Sequence, residues 1–306
     1  MYDLIVVGGG PAGMTAALYA LRNGKTALVI EKAGFGGQIT HSPKIENYPG
    51  TQSISGNELA DRMLEQILAL GAEVELETVE SVAAENGVVT VRTEEGGAYE
   101  SRAVVLATGV RHRMLGLPGE DALVGEGVSF CAVCDGDFYT DRTVCVAGGG
   151  NSALQEAVLL SDKCAEVVIL QDLPALTGEV PLQKILAARS NVRVITNCRL
   201  EALETCAGAL SGVTISDRST AERTTIPCEG LFVAIGLIPE NEAFRNVAKL
   251  NEYGYFDADE RCTTDTPGVF VAGDCRSKAV RQISTAAADG AVAALAACRY
   301  INSLNA

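Results

Sequence analysis

The sequence predicts an α/β fold built from two Rossmann-like nucleotide-binding domains of the three-layer (ββα) type, with the second domain inserted into the first. An internal repeat predicts this fold. Residues 3–31 and residues 143–172 each contain an apolar run, three glycines, a helical stretch and a second apolar run. Each copy is a βαβ unit, which pairs its strands in parallel and crosses over right-handed. A chain of 306 residues has room for about two such domains.

The remaining elements follow in order along the chain. The helix of the first copy shows the spacing of one buried face, with apolar residues at Met14, Ala17, Leu18 and Leu21. Segments 74–91 and 100–106 have the composition of short strands in the first domain. A strand at 269–272 and an alanine-rich helix from about residue 282 to residue 304 are expected to close that domain.

Glycine and proline clusters predict where the chain passes between the domains. One cluster lies at 116–119 and another at 234–239. We therefore expect the first domain to comprise residues 1–113 and 237–306, and the inserted domain to comprise residues 114–236.

Composition excludes several classes of function. The chain has 24 basic and 39 acidic residues, a formal net charge of −15, which argues against binding to nucleic acid or to an anionic membrane. No apolar run approaches the ~20 residues that a membrane-spanning helix needs. The sequence starts directly on a strand with no basic leader, so we expect a cytoplasmic protein. With two histidines in all, a histidine-based triad or metal site is not expected, and we predict no metal.

The first glycine-rich loop predicts a dinucleotide site. Gly8, Gly10 and Gly13 form the G-x-G-x-x-G pattern between a strand and a helix. The glycines allow a tight turn and a close approach of the backbone to a pyrophosphate, and the helix N-terminus adds amide donors. Glu31 ends the second strand, 18 residues after Gly13, where its carboxylate can accept a hydrogen bond from a ribose hydroxyl.

One pair among the ten cysteines has a distinctive spacing. Cys131 and Cys134 are separated by two residues, and Asp135 follows directly. Zinc is disfavoured, because it needs four ligands and no second C-x-x-C or C-x-x-H is present. A redox couple remains, with Asp135 as the nearby proton donor. The other eight cysteines are expected to be buried thiols that pack as small apolar residues.

In its motifs the chain closely resembles the low-molecular-weight thioredoxin reductases. The resemblance covers nearly the whole chain and rests on 8–13 (GGGPAG), 36–40 (GGQIT), 46–50 (ENYPG), 107–109 (ATG), 131–136 (CAVCDG), 148–153 (GGGNSA), 230–236 (GLFVAIG) and 273–274 (GD). It implies an FAD-binding domain, an inserted domain that carries the C-x-x-C, and a homodimer. Electrons would pass from the donor to the flavin, then to the protein disulfide, and then to the disulfide of thioredoxin.

The resemblance also implies roles for individual residues. Cys134 would face the flavin, Cys131 would attack the protein substrate, and Asp135 would be the acid. The first glycine loop and Glu31 would hold the ADP half of FAD, and the other residues would border its remaining parts. The full set implied for FAD is Gly8, Gly10, Pro11, Ala12, Gly13, Glu31, Gly37, Gln38, Thr40, Asn47, Ala107, Thr108, Gly109, Gly273, Asp274, Arg281, Gln282 and Ile283.

The chain departs from the family after the second glycine loop. NADPH-dependent members carry a histidine and several arginines there for the adenosine 2′-phosphate, whereas residues 171–180 contain no Lys or Arg and two acids, Asp172 and Glu179. A phosphate with nearly two negative charges needs arginine or lysine partners, so NADPH is disfavoured.

Three interpretations of the enzyme, which differ in its electron donor or acceptor, fit this departure from the family. The pattern is most similar to the ferredoxin-dependent flavin thioredoxin reductases, which keep the C-x-x-C but lack the NADPH determinants, and this is the favoured interpretation. Docking of an acidic ferredoxin would need a basic patch, for which the candidates are Arg111, Arg113, Lys278 and Arg281. The first alternative is an NADH-dependent reductase in which Asp172 holds the ribose. The second is a flavin dithiol oxidase that acts on small molecules.

Overall fold

The computed structural model describes residues 1–42 and 44–304. Within it the chain divides into two compact units, Met1–Arg111 with the segment from Ile238 onward, and His112–Leu237. The strands, in chain order, are β1 (Tyr2–Val7), β2 (Ala27–Glu31), β3 (Glu73–Leu76), β4 (Val79–Glu85), β5 (Val88–Thr93), β6 (Ala98–Leu106), β7 (Arg111–His112), β8 (Val128–Ser129), β9 (Thr143–Ala147), β10 (Glu166–Leu170), β11 (Val192–Ile195), β12 (Cys198–Cys206), β13 (Ala209–Asp217), β14 (Arg223–Pro227), β15 (Gly230–Val233), β16 (Leu237–Ile238) and β17 (Val269–Val271). The α-helices are α1 (Pro11–Arg22), α2 (Gly56–Leu68), α3 (Glu120–Leu123), α4 (Ala132–Asp135), α5 (Asn151–Ser161), α6 (Val180–Ala187) and α7 (Ile283–Ser303).

The first unit is built on a seven-stranded sheet in the order β3-β2-β1-β6-β5-β4, with β17 also paired to β6. β1, β2, β3, β6 and β17 run parallel, and Leu4 of β1 lies between Ala27 of β2 and Ala103 of β6. β1, β2 and β17 are buried on both faces, which explains their nearly continuous apolar sequences, whereas β3 at the edge is mostly exposed. α1 and α7 pack on one face, and segment 244–256 packs on the other together with side chains of β4 and β5. The result is a three-layer arrangement.

α7 packs closely on α1 of the same chain. Ala286, Ala293 and Ala297 are buried in the core that the two helices share. At Gly290 the helices approach so closely that a Cβ would lie 2.2 Å from the carbonyl oxygen of Ala12. The small residues on this face of α7 therefore let two helices of one unit approach each other.

The second unit repeats the design. Its five-stranded parallel sheet has the order β11-β10-β9-β15-β8, and a three-stranded antiparallel sheet, β12-β13-β14, follows in the chain. The backbone N–H of Gly148 donates to the carbonyl of Leu170 at 2.9 Å, as that of Gly8 does to Ile30 in the first unit at 2.8 Å. The predicted fold class, with two Rossmann-like domains, is confirmed. Among the described residues, no helix combines the length and the apolar character that crossing a membrane requires.

Candidate active site

The redox pair lies in the second unit, between β8 and α5. Cys131 follows the end of β8 by two residues, and Cys134 lies in the short helix α4. The two sulfur atoms form a disulfide, with their Cα atoms 5.2 Å apart. Both cysteines are half-buried, and Val133 between them is exposed. The pair is therefore oxidised in this structure and lies where another disulfide can reach it.

A buried hydrogen-bond network holds Asp135 beside the disulfide. The hydroxyl of Ser129 donates to Oδ2 of Asp135 at 2.6 Å, and the N–H of Cys131 donates to the same hydroxyl oxygen at 3.1 Å. Burial raises the pKa of the Asp135 carboxyl, and the hydrogen bond from Ser129 opposes that rise. Asp135 thus has the surroundings of an acid that keeps its proton above the usual range.

Sequence reasoning missed Ser129. Its hydroxyl links the backbone of one cysteine to the acid, a role that its place two residues before Cys131 does not reveal on its own. The available signal was a polar residue at the end of a buried strand, where the side chain can hydrogen-bond to the turn that follows.

The first glycine loop has the geometry of a nucleotide cradle. Gly8 has a φ of 109°, and a Cβ on it would lie 2.3 Å from the carbonyl oxygen of Ala107. Gly10 is open, since the nearest atom to a Cβ there would be the carbonyl oxygen of Gly36 at 3.9 Å. The N-terminus of α1, which begins directly after Gly10, has no side-chain cap. Its amide donors are therefore available to an anionic ligand.

Glu31 reaches this loop from the end of β2. One carboxylate oxygen accepts a hydrogen bond from the N–H of Gly9 at 2.6 Å, and the other accepts from the N–H of Ala33 at 3.0 Å. The carboxylate is therefore fixed at the position where the ribose of a bound dinucleotide would lie.

The other residues implied for FAD follow the carboxyl ends of the parallel strands. Thr108 follows β6, and its hydroxyl donates to Oδ1 of Asn241 at 2.6 Å. Asn47 donates to the side chain of Gln282 at 3.3 Å, which brings the 46–50 motif to the start of α7. The remaining members occupy the first turn of α1 (Pro11, Ala12, Gly13), the 3-10 turn at 37–41 (Gly37, Gln38, Thr40), the ends of β6 and β17 (Ala107, Gly109, Gly273, Asp274) and the start of α7 (Arg281, Ile283).

Asp274 provides a test of whether these residues fit a flavin. Its Oδ1 atom is buried and has no hydrogen-bond partner among the described residues. Burial raises the pKa of its carboxyl to about 6, against the opposing effect of Lys278 and Arg281. A buried oxygen without a donor is costly to the folded chain. A ligand hydroxyl that donates to Asp274 would remove that cost, so this site fits the FAD that the motifs imply.

The four cations named for ferredoxin docking differ in exposure. The side chain of Lys278 is buried, and its ammonium group pairs with Asp289 at 3.0 Å. Arg281 donates to the carbonyl of Asp274 at 3.2 Å and lies over the Tyr255 ring. Arg111 and Arg113 are exposed, and Arg111 pairs with Glu240 at 2.8 Å. Lys278 is therefore not available to a docking protein, and the sequence could not show this because Asp289 approaches Lys278 only in the folded chain.

At the second glycine loop, the pairing of the loop with β10 changes which residue is equivalent to Glu31. Because Gly148 pairs with Leu170 as Gly8 pairs with Ile30, the residue equivalent to Glu31 is Gln171 and not Asp172. Gln171 is buried against Gly149, and its side-chain amide donates to the carbonyl of Ala175 at 3.3 Å. A neutral amide thus occupies the position from which a carboxylate would bind a ribose.

The segment after Gln171 lies against the same loop. The N–H groups of Thr177 and Gly178 both donate to the carbonyl of Gly149 at 2.8 Å. Glu179 accepts a hydrogen bond from the Asn151 side chain at 3.1 Å, at the N-terminus of α5. An acid therefore lies at the helix end where a dinucleotide would place its pyrophosphate.

Comparisons with known proteins agree with this geometry. The model of the family described as "Pyridine nucleotide-disulphide oxidoreductase" matches residues 2–290. The thioredoxin reductase of Bacillus subtilis is 38% identical over 306 residues, covering 99% of this chain and 96% of that protein. The bifunctional thioredoxin reductase/thioredoxin of Mycobacterium leprae is 40% identical over 307 residues, which span 98% of this chain and 66% of that protein. The crystal structure of thioredoxin reductase from Streptococcus pyogenes superposes with a TM-score of 0.94 at 36% identity, covering 99% of each chain. A redox-active disulfide and a dinucleotide cradle in one chain, together with these similarities, make this protein a member of the pyridine nucleotide-disulphide oxidoreductase family.

Proposed function

We propose that this flavin disulfide oxidoreductase reduces the disulfide of thioredoxin and receives its electrons from reduced ferredoxin instead of NADPH. The thioredoxin part is supported by the relatives named thioredoxin reductase, one of which is fused to a thioredoxin. The donor part is supported by one observation above all: residues 171–180 contain no Lys or Arg that could bind a 2′-phosphate.

The first glycine loop and Glu31 would hold the ADP half of FAD, and Asp274 would accept a hydrogen bond from a hydroxyl of its ribityl chain. When bound, FAD would supply the two electrons that reduce the Cys131–Cys134 disulfide. The residues of the chain then carry the exchange. The thiolate of Cys131 attacks the substrate disulfide, Cys134 resolves the mixed disulfide, and Asp135 gives a proton to a departing sulfur.

The local hydrogen bonds favour Cys131 as the nucleophile and Asp135 as the acid. The N–H of Cys134 donates to the sulfur of Cys131 at 3.2 Å, an interaction that stabilises a thiolate more than a thiol. The carboxyl of Asp135 is kept protonated to a higher pH than usual by burial. A nucleophile and an acid are therefore present within one network.

The residues around the second glycine loop argue against NADPH, because they lack the charges that would bind its phosphate and its ribose. Residues 171–180 have no base, and Gln171 replaces the carboxylate found at the equivalent position of the first unit. Glu179 adds a negative charge at the N-terminus of α5. An adenosine 2′-phosphate would meet acids and no cation.

The donor can be tested directly. We would titrate the purified protein without oxygen with reduced ferredoxin, NADPH and NADH, and follow the visible absorbance of the flavin. Bleaching by ferredoxin alone supports the proposal, and rapid bleaching by NADPH or NADH contradicts it. Oxidation by oxygen with a small dithiol as substrate, without any reduction of thioredoxin, would instead identify a dithiol oxidase.

A substitution of Asp172 distinguishes the NADH alternative from reduction by ferredoxin. Asp172 is exposed on the segment next to Gln171. We expect Asp172→Asn to leave reduction by ferredoxin unchanged, because that route does not use the second glycine loop. A large loss of NADH-driven bleaching in this variant would assign Asp172 the ribose and overturn the proposed donor.

The proposal includes a homodimer, which the family resemblance supports. Light scattering of the eluting protein should then give about twice the chain mass of 31.9 kDa. A monomer mass at working concentrations would remove this part of the proposal.

A further inference from the structure

A second carboxyl group lies behind the acid of the redox site. Gly136, the residue after Asp135, packs on α5 so closely that a Cβ there would lie 3.4 Å from Leu160. Glu156 precedes Leu160 by one helical turn and therefore shares its face of α5. The chain thus brings Glu156, 21 residues away in sequence, to the side of α5 that Asp135 approaches.

Each of these carboxyl groups has one unsatisfied oxygen. Oδ1 of Asp135 and Oε2 of Glu156 are buried and have no hydrogen-bond partner among the described residues. A buried, ionised and unpartnered carboxylate is costly, so both groups are stabilised when they keep a proton. Burial, followed by the charge of Asp135, raises the pKa of Glu156 to about 8. At neutral pH Glu156 therefore carries a proton.

The surroundings of Glu156 leave Asp135 as its electrostatic partner. The main elements packed against α5 are α4, α6, β9 and β10. Their other ionisable groups include Lys184, Cys145 and Glu166, and none of these contributes to the shift of Glu156. Tyr139 faces Asp135 from the other side, and burial together with that carboxylate raises the pKa of its phenol to about 12. The two carboxyls thus form a pair.

Reduction of a disulfide consumes two protons, because it releases two thiolates in succession. The attack of Cys131 expels the first, and the attack of Cys134 on the mixed disulfide expels the second. Each departing sulfur takes up one proton, while Asp135 carries only one. Starting from the dithiolate, one disulfide is reduced to two thiols, the protein dithiolate is oxidised to its disulfide, and two protons are consumed.

We propose that Glu156 supplies the second of these protons, which reaches Asp135 through one intervening water molecule after Asp135 has protonated the first departing thiolate. Glu156 acts through Asp135 and contacts no substrate, and it regains its proton from solvent through its partly exposed side chain. This inference rests on the proposed reduction of thioredoxin.

The test compares two disulfides that differ in their need for a proton. Protein reduced with dithionite is mixed without oxygen with oxidised thioredoxin, or with the aryl disulfide DTNB, whose thiolate leaves without protonation. Reoxidation is followed by stopped flow between about pH 6 and about pH 9. Because dithionite replaces the natural donor, the result does not depend on ferredoxin.

We expect Glu156→Gln to slow reoxidation by thioredoxin about tenfold at neutral pH, a part of the effect of a general acid. The fall of the wild-type rate near pH 8 should disappear in this variant, and the reaction with DTNB should be unchanged. Glu166→Gln, which removes an exposed carboxylate from the neighbouring strand, is the matched control and should behave as wild type. In Asp135→Asn, adding Glu156→Gln should cause no further loss, because the two residues act in series.

An unchanged pH profile and rate with thioredoxin would overturn the role of Glu156. Equal losses with thioredoxin and DTNB would also overturn it, since they would indicate damage to the dithiol. If wild-type protein reacts with DTNB but not with thioredoxin, the proposed substrate is wrong, and glutathione disulfide then serves as the proton-requiring substrate in the same comparison.

Discussion

At the scale of single residues, the redox site depends on a few hydrogen bonds around one disulfide. Ser129 donates to Asp135 and accepts from the backbone of Cys131, so it fixes the acid relative to the sulfur. Such a bond to a carboxylate is charge-assisted and favours the ionised form. Ser129 and burial therefore shift the pKa of Asp135 in opposite directions, and the balance between them sets the pH range in which Asp135 is an acid.

The two cysteines can be tested by substitution. Cys131→Ser or Cys134→Ser should abolish reduction of thioredoxin and leave the flavin spectrum in place, because the residues expected to hold FAD lie in the other unit. Activity and visible absorbance of the same samples check this. Disulfide reduction that persists in either variant would show that electrons do not pass through this pair.

Ser129→Ala should shift the pH dependence. Loss of the hydrogen bond that lowers the pKa of Asp135 lets burial raise that pKa further, so the carboxyl keeps its proton to a higher pH. We expect the limb of the thioredoxin rate that follows Asp135, which is distinct from the fall near pH 8 assigned to Glu156, to move upward by about one pH unit. A shift in the opposite direction would contradict the account of Asp135, and the DTNB rate serves as control.

Glu156 should also make the free energy of unfolding depend on pH. Below pH 4.5 the carboxyl is protonated in the folded and the unfolded chain, and between pH 4.5 and about 8 only the unfolded chain ionises. The free energy of unfolding therefore falls as pH rises through this range. We expect Glu156→Gln to increase that free energy by about 2 kcal/mol near pH 8 and to have no effect near pH 4.5. Thermal melts at both pH values measure it, and an equal effect at both would contradict it.

At the scale of elements, helix contacts position the loops that are expected to bind FAD. α1 and α7 cross at Gly290 and Ala12, which places the N-terminal ends of both helices next to the first glycine loop and the 273–274 turn. Asp289, the residue before Gly290, accepts hydrogen bonds from the N–H of Gly273 at 3.1 Å and from Arg276 at 3.0 Å. The crossing and this buried carboxylate thus fix the turn that carries Asp274.

Gly290→Ala tests this arrangement. The added Cβ would lie 2.2 Å from the carbonyl oxygen of Ala12, so the helices must separate. We expect a loss of about 2 kcal/mol in the free energy of unfolding, as for an overpacked core, and weaker retention of the flavin. Val292→Ala, at an exposed position of the same helix, is the control. A variant as stable and as yellow as wild type would show that the close crossing is not required.

At the scale of the whole molecule, the net charge of −15 governs encounters with other proteins. The side chain of Lys278 is buried against Asp289, and the exposed Arg111 is paired with Glu240, so an acid offsets each of these two charges. A ferredoxin, if it is the donor, must approach against a repulsive field. Salt screens that field, because the Debye length falls to about 10 Å at 0.1 M.

The ionic-strength dependence of electron delivery follows from this charge. We expect the rate of flavin reduction by an acidic ferredoxin to rise severalfold between about 0.02 M and about 0.2 M salt. Stopped-flow absorbance under anaerobic conditions measures it. A rate that falls with salt would reveal a complementary basic surface that these residues do not provide.

The sequence by itself determined the fold class, the dinucleotide loop at Gly8–Gly13 and the cysteine pair, because each is written in residues that are near one another in the chain. The backbone of a glycine loop and the spacing of C-x-x-C need no distant partner to be recognised. The roles assigned to the individual FAD residues stay predictions. Only the tertiary structure showed that Gln171 takes the place of Glu31, and that Lys278 is buried against Asp289. Only the tertiary structure showed that the face of α5 that carries Glu156 packs against Gly136, the residue after Asp135. Each of these depends on strand register or on packing between elements that are far apart in the sequence. Residues distant in sequence determine the burial and the electrostatic surroundings there, and a local sequence pattern does not identify them.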